Sequence, residues 1–127
     1  MEDKKYKILI VDDDRFLLDM YPVKFTQLGF DVATSLGSVD ALAKLREGFV
    51  PDVILTDLLM PTMDGFELLE KIKEEKLAQG SKIIILSNKG ERTDIDRGIA
   101  LGADGYIIKA SVIPSEVVEK VMEVLKK

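Results

Sequence analysis

A doubly wound α/β fold, one domain over residues 1–127, follows from two features of this chain. Short β-branched runs alternate five times with segments of helical period, and most of those runs are continuously apolar. A half-exposed strand alternates apolar with polar residues. An unbroken apolar run instead marks a parallel strand covered on both faces. The strand candidates are Lys7–Val11, Asp31–Thr34, Val53–Thr56, Lys82–Leu86 and Tyr106–Ile108. The helical segments between and after them are Arg15–Leu28, Val39–Glu47, Gly65–Lys76, Asp94–Leu101 and Ser115–Lys126. Such a (βα)5 alternation implies a parallel sheet with right-handed crossovers and helices on both faces.

Each helix carries its own punctuation. Asp14 is read as the N-cap of the first, and Asp64 as that of the third, with Glu67 three residues on in a box-like pattern. Gly29 and Gly102 suit helix C-termini. In the last helix Val117, Val118, Val121, Met122 and Leu125 form one apolar stripe, and Pro114 sits in its first turn, where a missing N–H does no harm. Pro22 is the one local conflict. Inside a helix it gives the Leu18 carbonyl no donor, at about 3 kcal/mol or a kink, so a kinked or shortened first helix is expected. The common order for five such strands is the flavodoxin-like 2-1-3-4-5, with ligands outside the strand carboxyl ends at the β1/β3 switch point.

Composition removes many functions. The chain has no Cys and no His. That excludes disulfide frameworks, zinc fingers, iron–sulfur clusters, Ser-His-Asp triads, haem ligation and a phosphohistidine of its own. A metal here is held by oxygen, which points to Mg²⁺, Ca²⁺ or Mn²⁺. Lys plus Arg number 18 against 23 Asp plus Glu, a net charge of −5. That sign argues against direct nucleic-acid binding or an anionic-membrane surface. Asp12-Asp13-Asp14 cuts the first apolar run far short of a signal peptide. No run approaches a membrane span, so no membrane insertion and a cytoplasmic location are expected.

The predicted strand ends collect the chemistry. Strands one, three, four and five finish at Asp12-Asp13, Asp57, Ser87 and Lys109, and these strands are consecutive in the 2-1-3-4-5 order. Neighbouring strands lie ~4.8 Å apart, so Asp57 should face Asp12 or Asp13. Carboxylates that close repel unless a cation intervenes, and Mg²⁺ prefers a few carboxylates plus waters. Taken singly, Ser87 is an ordinary turn residue and Lys109 a solvated lysine. Taken together, the set reads as a phosphoryl-transfer site, because that reaction asks for in-line positioning and cations against the equatorial oxygens. Asp57 is then the nucleophile, Asp12 and Asp13 hold the metal, Lys109 supplies a point charge and Ser87 a donor. The product is an aspartyl phosphate.

At these residues the chain resembles the receiver domain of two-component response regulators, of the single-domain chemotaxis-regulator type. The matching segments are Ile8-Leu9-Ile10-Val11-Asp12-Asp13, Asp52 to Gly65, Ile85-Leu86-Ser87 and Gly102 to Lys109. The resemblance implies that Asp57 accepts the phosphoryl group and that Asp13 binds Mg²⁺ directly (Mn²⁺ in its place). Asp12 would act largely through water, and the Leu59 carbonyl would be a further ligand. It implies a sensor histidine kinase or phosphotransfer protein as donor. Ser87 and Tyr106 would form a switch pair that repacks the fourth helix, fifth strand and fifth helix, a face that then meets a downstream protein. The chain would phosphorylate and dephosphorylate itself without being a turnover enzyme. Read as a complete protein, a chain ending at Lys126-Lys127 has no room for an output domain, and protein contact or phosphorelay to another protein is the expected output. Read as part of a longer regulator, the chain has its output elsewhere.

Three departures from the family pattern, at four positions, matter. Ala110 follows Lys109 where a cis proline is usual. A cis bond without proline costs about 2.5–4 kcal/mol, so the loop is expected to keep that strain or take a trans path. Asn88 stands where a small residue is usual and is expected to narrow the approach to Asp57. Apolar Leu59 and the long Lys89 flank the entry of attacking water and are expected to prolong the acyl phosphate. Three other classes compete with this reading. A phosphorylation-independent receiver-like scaffold is kept open by Asn88 and Ala110. A haloacid-dehalogenase-type phosphohydrolase would use Asp12 and Asp14, against which stand Arg15-Phe16, the short chain and the missing cap. A flavin site is opposed by three aspartates where a phosphate would sit.

Overall fold

The computed structural model describes residues 5–126. Its strands are β1 (Lys7–Asp12), β2 (Asp31–Leu36), β3 (Val53–Thr56), β4 (Lys82–Ser87) and β5 (Gly105–Ile108). Its α-helices are α1 (Arg15–Gln27), α2 (Ser38–Arg46), α3 (Gly65–Glu74), α4 (Arg92–Ala100) and α5 (Pro114–Leu125), with a 3-10 turn at Lys109–Ser111. The sheet is all parallel in the order β2-β1-β3-β4-β5. The flavodoxin-like fold read from the sequence is the fold observed.

Alternate strand residues feed two cores, as a pleated strand requires. Leu9, Val11, Ile54 and Ile85 pack with Leu42 and Leu45 of α2 and Phe66, Leu68, Leu69 and Ile72 of α3. Ile8, Ile10, Val53, Leu55, Ile84 and Leu86 pack on the other face with Leu17, Tyr21 and Phe25 of α1 and Val117, Val121 and Val124 of α5. Both faces of the central strands are therefore dry, which explains their unbroken apolar runs.

The helix ends follow their punctuation. Asp14 Oδ1 accepts the Phe16 N–H at 3.0 Å, and Asp64 Oδ1 accepts the Glu67 N–H at 2.9 Å. Gly29 and Gly102 take positive φ, 87° and 105°, just past α1 and α4. There the Phe30 and Ala103 N–H groups close back on the Phe25 and Gly98 carbonyls, the paired bonding of a Schellman end. Pro114 opens α5.

Several boundaries differ from the sequence reading. β1 and β4 each take in one more residue, Asp12 and Ser87, because ladder pairing continues past the apolar run to Asp12–Leu36 and Ser87–Ile108. β2 extends to Leu36 and β5 begins at Gly105 for the same reason. α4 starts at Arg92 rather than Asp94, in a polar first turn that carries no periodic signal. α1 is not shortened at Pro22 but runs through it to Gln27, its buried Leu17, Tyr21 and Phe25 offsetting the lost donor. Of the expected domain, residues 1–4 and 127 lie outside the described residues.

Candidate phosphoacceptor site

The register sets the site. Val11 pairs with Thr56, so the next residues, Asp12 and Asp57, leave the sheet side by side. The Asp57 N–H still donates to the Val11 carbonyl at 3.0 Å. Both side chains are buried, Asp12 at 1% exposure and Asp57 at 5%, while Asp13 is exposed. One carboxylate oxygen from each of Asp12, Asp13 and Asp57 lies within 4.8 Å of the other two, the one such group among the described residues.

Lys109 crosses from the turn after β5 into this cluster. Its Nζ lies 2.9 Å from Asp12 Oδ2 and 2.9 Å from Asp57 Oδ2. The remaining oxygens are engaged by backbone. Asp12 Oδ1 accepts the Asp14 N–H at 3.0 Å, and Asp57 Oδ1 accepts the Leu58 and Leu59 N–H groups at 2.7 and 3.3 Å. Burial pushes the Asp12 carboxyl above the usual range; the Lys109 bond opposes this and the Asp57 charge adds to it. Burial alone would lower Lys109, but its two carboxylate partners outweigh that and raise it. The cluster is a charged centre in a largely dry place, with one lysine against three carboxylates.

An all-oxygen donor set with one solvent-facing member suits a hard divalent cation that keeps several waters. The donors present fit Mg²⁺. The excess of two negative charges in this corner gives such an ion its electrostatic reason to bind.

Ser87, at the buried end of β4, accepts the Lys89 N–H on Oγ at 3.2 Å. Tyr106 donates its hydroxyl to the Lys89 carbonyl, and its ring lies beside Gly98 of α4, where an added Cβ would stand 3.4 Å from the ring. Burial, with the charges of Asp94 and Asp57, pushes the Tyr106 hydroxyl up to about 12. Lys89 Nζ pairs with Asp94 Oδ1 on α4 at 3.3 Å. Leu59 is 55% exposed at the mouth. Asn88 is exposed, and its Oδ1 accepts the Ala110 N–H at 2.8 Å.

The Lys109–Ala110 peptide is trans, as are all peptides of the described residues. Of the two paths left open by the sequence, the loop takes the trans one and still delivers Lys109. Asp14 is spent on its cap and lies outside the three-carboxylate group, which removes the Asp12–Asp14 pair that the phosphohydrolase reading needs. Gly65 went unnoticed as a site residue. A Cβ there would stand 2.3 Å from the Asp57 carbonyl oxygen, so α3 begins against the backbone of the candidate nucleophile, a contact the glycine in Met63-Asp64-Gly65 permits. Among the described residues no helix is long and apolar enough to cross a membrane.

Comparison with known proteins agrees. The response regulator receiver domain family matches residues 8–122. The DNA-binding response regulator MtrA of Mycobacterium tuberculosis is 33% identical over 127 residues, 100% of this chain and 54% of that protein. The alkaline phosphatase synthesis transcriptional regulatory protein PhoP of Bacillus subtilis is 34% identical over 95% of this chain and 49% of its own length. The chain thus spans about half the length of the curated relatives it matches. A CheY-like receiver domain protein from Methanospirillum hungatei superposes with a TM-score of 0.87 at 32% identity, covering 97% of this chain and 95% of that one. Chemotaxis response regulator CheY4 of Vibrio cholerae gives 0.85 at 27% identity over 95% and 99%. A family match across nearly the whole chain, on a sheet of the same strand order as the sequence required, places this chain among the response regulator receiver domains of two-component systems.

Proposed function

We propose that the chain is a phosphoacceptor switch in which Asp57 takes a phosphoryl group from the phosphohistidine of a sensor histidine kinase or phosphotransfer protein. The observation that carries this reading is Lys109 Nζ at 2.9 Å from both Asp12 and Asp57, with the Asp13 carboxylate beside them. A carboxylate oxygen of Asp57 attacks phosphorus, and the P–N bond breaks with its electron pair returning to the imidazole. Asp12, Asp13, Asp57 and the Leu59 carbonyl would hold Mg²⁺, or Mn²⁺ in its place. When bound, that ion supplies positive charge against the phosphoryl oxygens. Lys109 follows the charge from the free carboxylate to the phosphoryl group, and Ser87 exchanges its Lys89 N–H partner for a phosphoryl oxygen. Once Ser87 turns, Tyr106 and the loop between β4 and α4 repack, which biases the α4–β5–α5 face toward a downstream protein. The chain acts on no external metabolite; it modifies and restores itself. Its partners are proteins in the cytoplasm, and the DNA binding named for MtrA belongs to that protein.

Intact mass after incubation with Mg²⁺ and a small acyl-phosphate donor tests this. One added phosphoryl group is expected, lost in Asp57→Asn and with a chelator. Absence of modification, with no binding of beryllofluoride as a phosphoryl mimic, overturns the proposal and leaves the scaffold reading. The phosphoryl lifetime is set by the mouth, where Leu59 and Lys89 exclude water and Asn88 narrows the approach. Leu59→Asn, which offers attacking water a polar partner, is expected to shorten the half-life several-fold in a decay measurement, an effect of about 1 kcal/mol.

A further inference from the structure

We propose that Asn88 is a positioning residue for Lys109, acting through the backbone of Ala110. The inference rests on the phosphoacceptor reading above and goes beyond it. Asn88 and Ala110 are two separate oddities in the sequence, 22 positions apart, and the fold makes them partners through the 2.8 Å bond from the Ala110 N–H to Asn88 Oδ1. Proline at 110 would have no N–H to give. Alanine supplies the donor and asparagine the acceptor, so the two departures serve one contact.

The turn that carries Lys109 has little else to hold its backbone. It is a single 3-10 turn, Lys109–Ser111, with Ala110 and Ser111 exposed. The bond from the Val112 N–H back to the Lys109 carbonyl is 3.5 Å long, beyond the usual range. The loop on the Asn88 side is well anchored. Ser87 is fully buried, Lys89 donates its N–H to Ser87 and accepts from Tyr106, and its ammonium reaches Asp94. Asn88 therefore ties a turn with few backbone bonds to a loop that, in the unphosphorylated state, has several. An ammonium on a four-carbon stem has many rotamers, and fixing its backbone narrows the search for two carboxylates at once.

Asn88 also adjoins Ser87, and its bond ends on the residue after Lys109. Ser87 and Lys109 are the two side chains read as meeting phosphoryl oxygens. The contact lies just beyond the Ser87–Ile108 ladder pair that ends the two strands, and it joins the residues that follow them through the Asn88 side-chain Oδ1.

Affinity for Mg²⁺-beryllofluoride, measured by calorimetry and NMR in wild type and in Asn88→Ala, tests the proposal, with both repeated in a Lys109→Ala background. Asn88→Ala is expected to weaken binding roughly three- to tenfold, and to add nothing once Lys109 is gone. Hydrogen exchange at the Ala110 amide is expected to quicken in Asn88→Ala while thermal unfolding stays near wild type. Equal or tighter binding by Asn88→Ala, a further loss in the Lys109→Ala background, or an Ala110 amide indifferent to the change would each overturn the positioning role. A wild type that takes no beryllofluoride overturns the phosphoacceptor reading itself, and this inference with it.

Discussion

The helices α3 and α4 flank the same stretch of sheet and are built in opposite ways. Five of the ten residues of α3 are buried, Gly65, Phe66, Leu68, Leu69 and Ile72, and its N-terminus rests on the Asp57 backbone. Of the nine residues of α4 only Gly98 is buried, and Ile99 is 55% exposed. Polar ties hold α4 instead: Lys89 to Asp94, and Arg97 lying 4.2 Å from the centre of the Phe66 ring. Segments with few buried apolar contacts open at low free energy, and elements that move in signalling come from that end of the scale. The proposed phosphoacceptor corner is therefore anchored in the core, whereas the flank that would report phosphorylation is held largely by polar ties near the surface.

Truncation in the two helices gives the largest contrast. Leu68→Ala, at a fully buried position, is expected to lower the free energy of unfolding by about 2–5 kcal/mol. Ile99→Ala is expected to stay within about 0.5 kcal/mol of wild type. Urea denaturation measures both. Comparable losses at the two positions would break the distinction between α3 and α4.

Glycines give a finer test. In Gly65→Ala the new Cβ would meet backbone, the Asp57 carbonyl oxygen at 2.3 Å, and backbone has nowhere to go. A loss of about 1–3 kcal/mol is expected, with weaker beryllofluoride binding because Asp57 itself is displaced. In Gly98→Ala the nearest atom is the Cδ1 end of the Ile85 side chain, at 2.6 Å. That end can turn away, and alanine gains about 1 kcal/mol of helix propensity over glycine. The net change is expected to be small. Unfolding curves of the two variants, set side by side, decide whether the corner near Asp57 is as unyielding as its geometry requires.

These contrasts also explain what the sequence could reveal. The dry strands announce themselves as apolar runs, and the polar residues ending them stand out because the run stops; Asp12, Asp57, Ser87 and Lys109 were legible for that reason. The limits of β1 and β4 were not, because ladder pairing needs only backbone and carries on through a polar side chain. Pro22 pointed to a kinked or shortened helix, and the shortening is overridden by tertiary burial of Leu17, Tyr21 and Phe25. Local reading marks an unusual residue, but not a partner far along the chain, so Asn88 and Ala110 stand out singly in the sequence and only the fold reveals their bond. For the same reason Gly65 read as the first residue of a helix, and its contact with Asp57 became visible only once the strand and helix were packed.

The smallest effect reverses the usual sign of a mutation, because the corner anchored in the core carries a repulsion that the opposite flank lacks. Asp12 is held above its ordinary value of 3.8, by burial first and then by the Asp57 charge, net of its bond to Lys109. A carboxyl with a raised folded-state pKa binds its proton more tightly in the native protein than in the unfolded chain. Below 3.8 both states are protonated and Asp12 makes no difference. As pH climbs from 3.8 through the folded value the native state must give up a proton it prefers to keep, and stability falls. At neutral pH that penalty is fully present. Asp12→Asn keeps the shape and removes the charge, so it is expected to stabilise the protein modestly at neutral pH and to lose that advantage on acidification below 3.8. Mg²⁺ should act the other way, raising the melting temperature of wild type by mass action and doing so less in Asp12→Asn. Melting curves across pH, with and without Mg²⁺, read both effects. A variant less stable than wild type at neutral pH would mean that Lys109 more than repays the burial of Asp12. The acidic corner would then be held together by its charges as well as by its core.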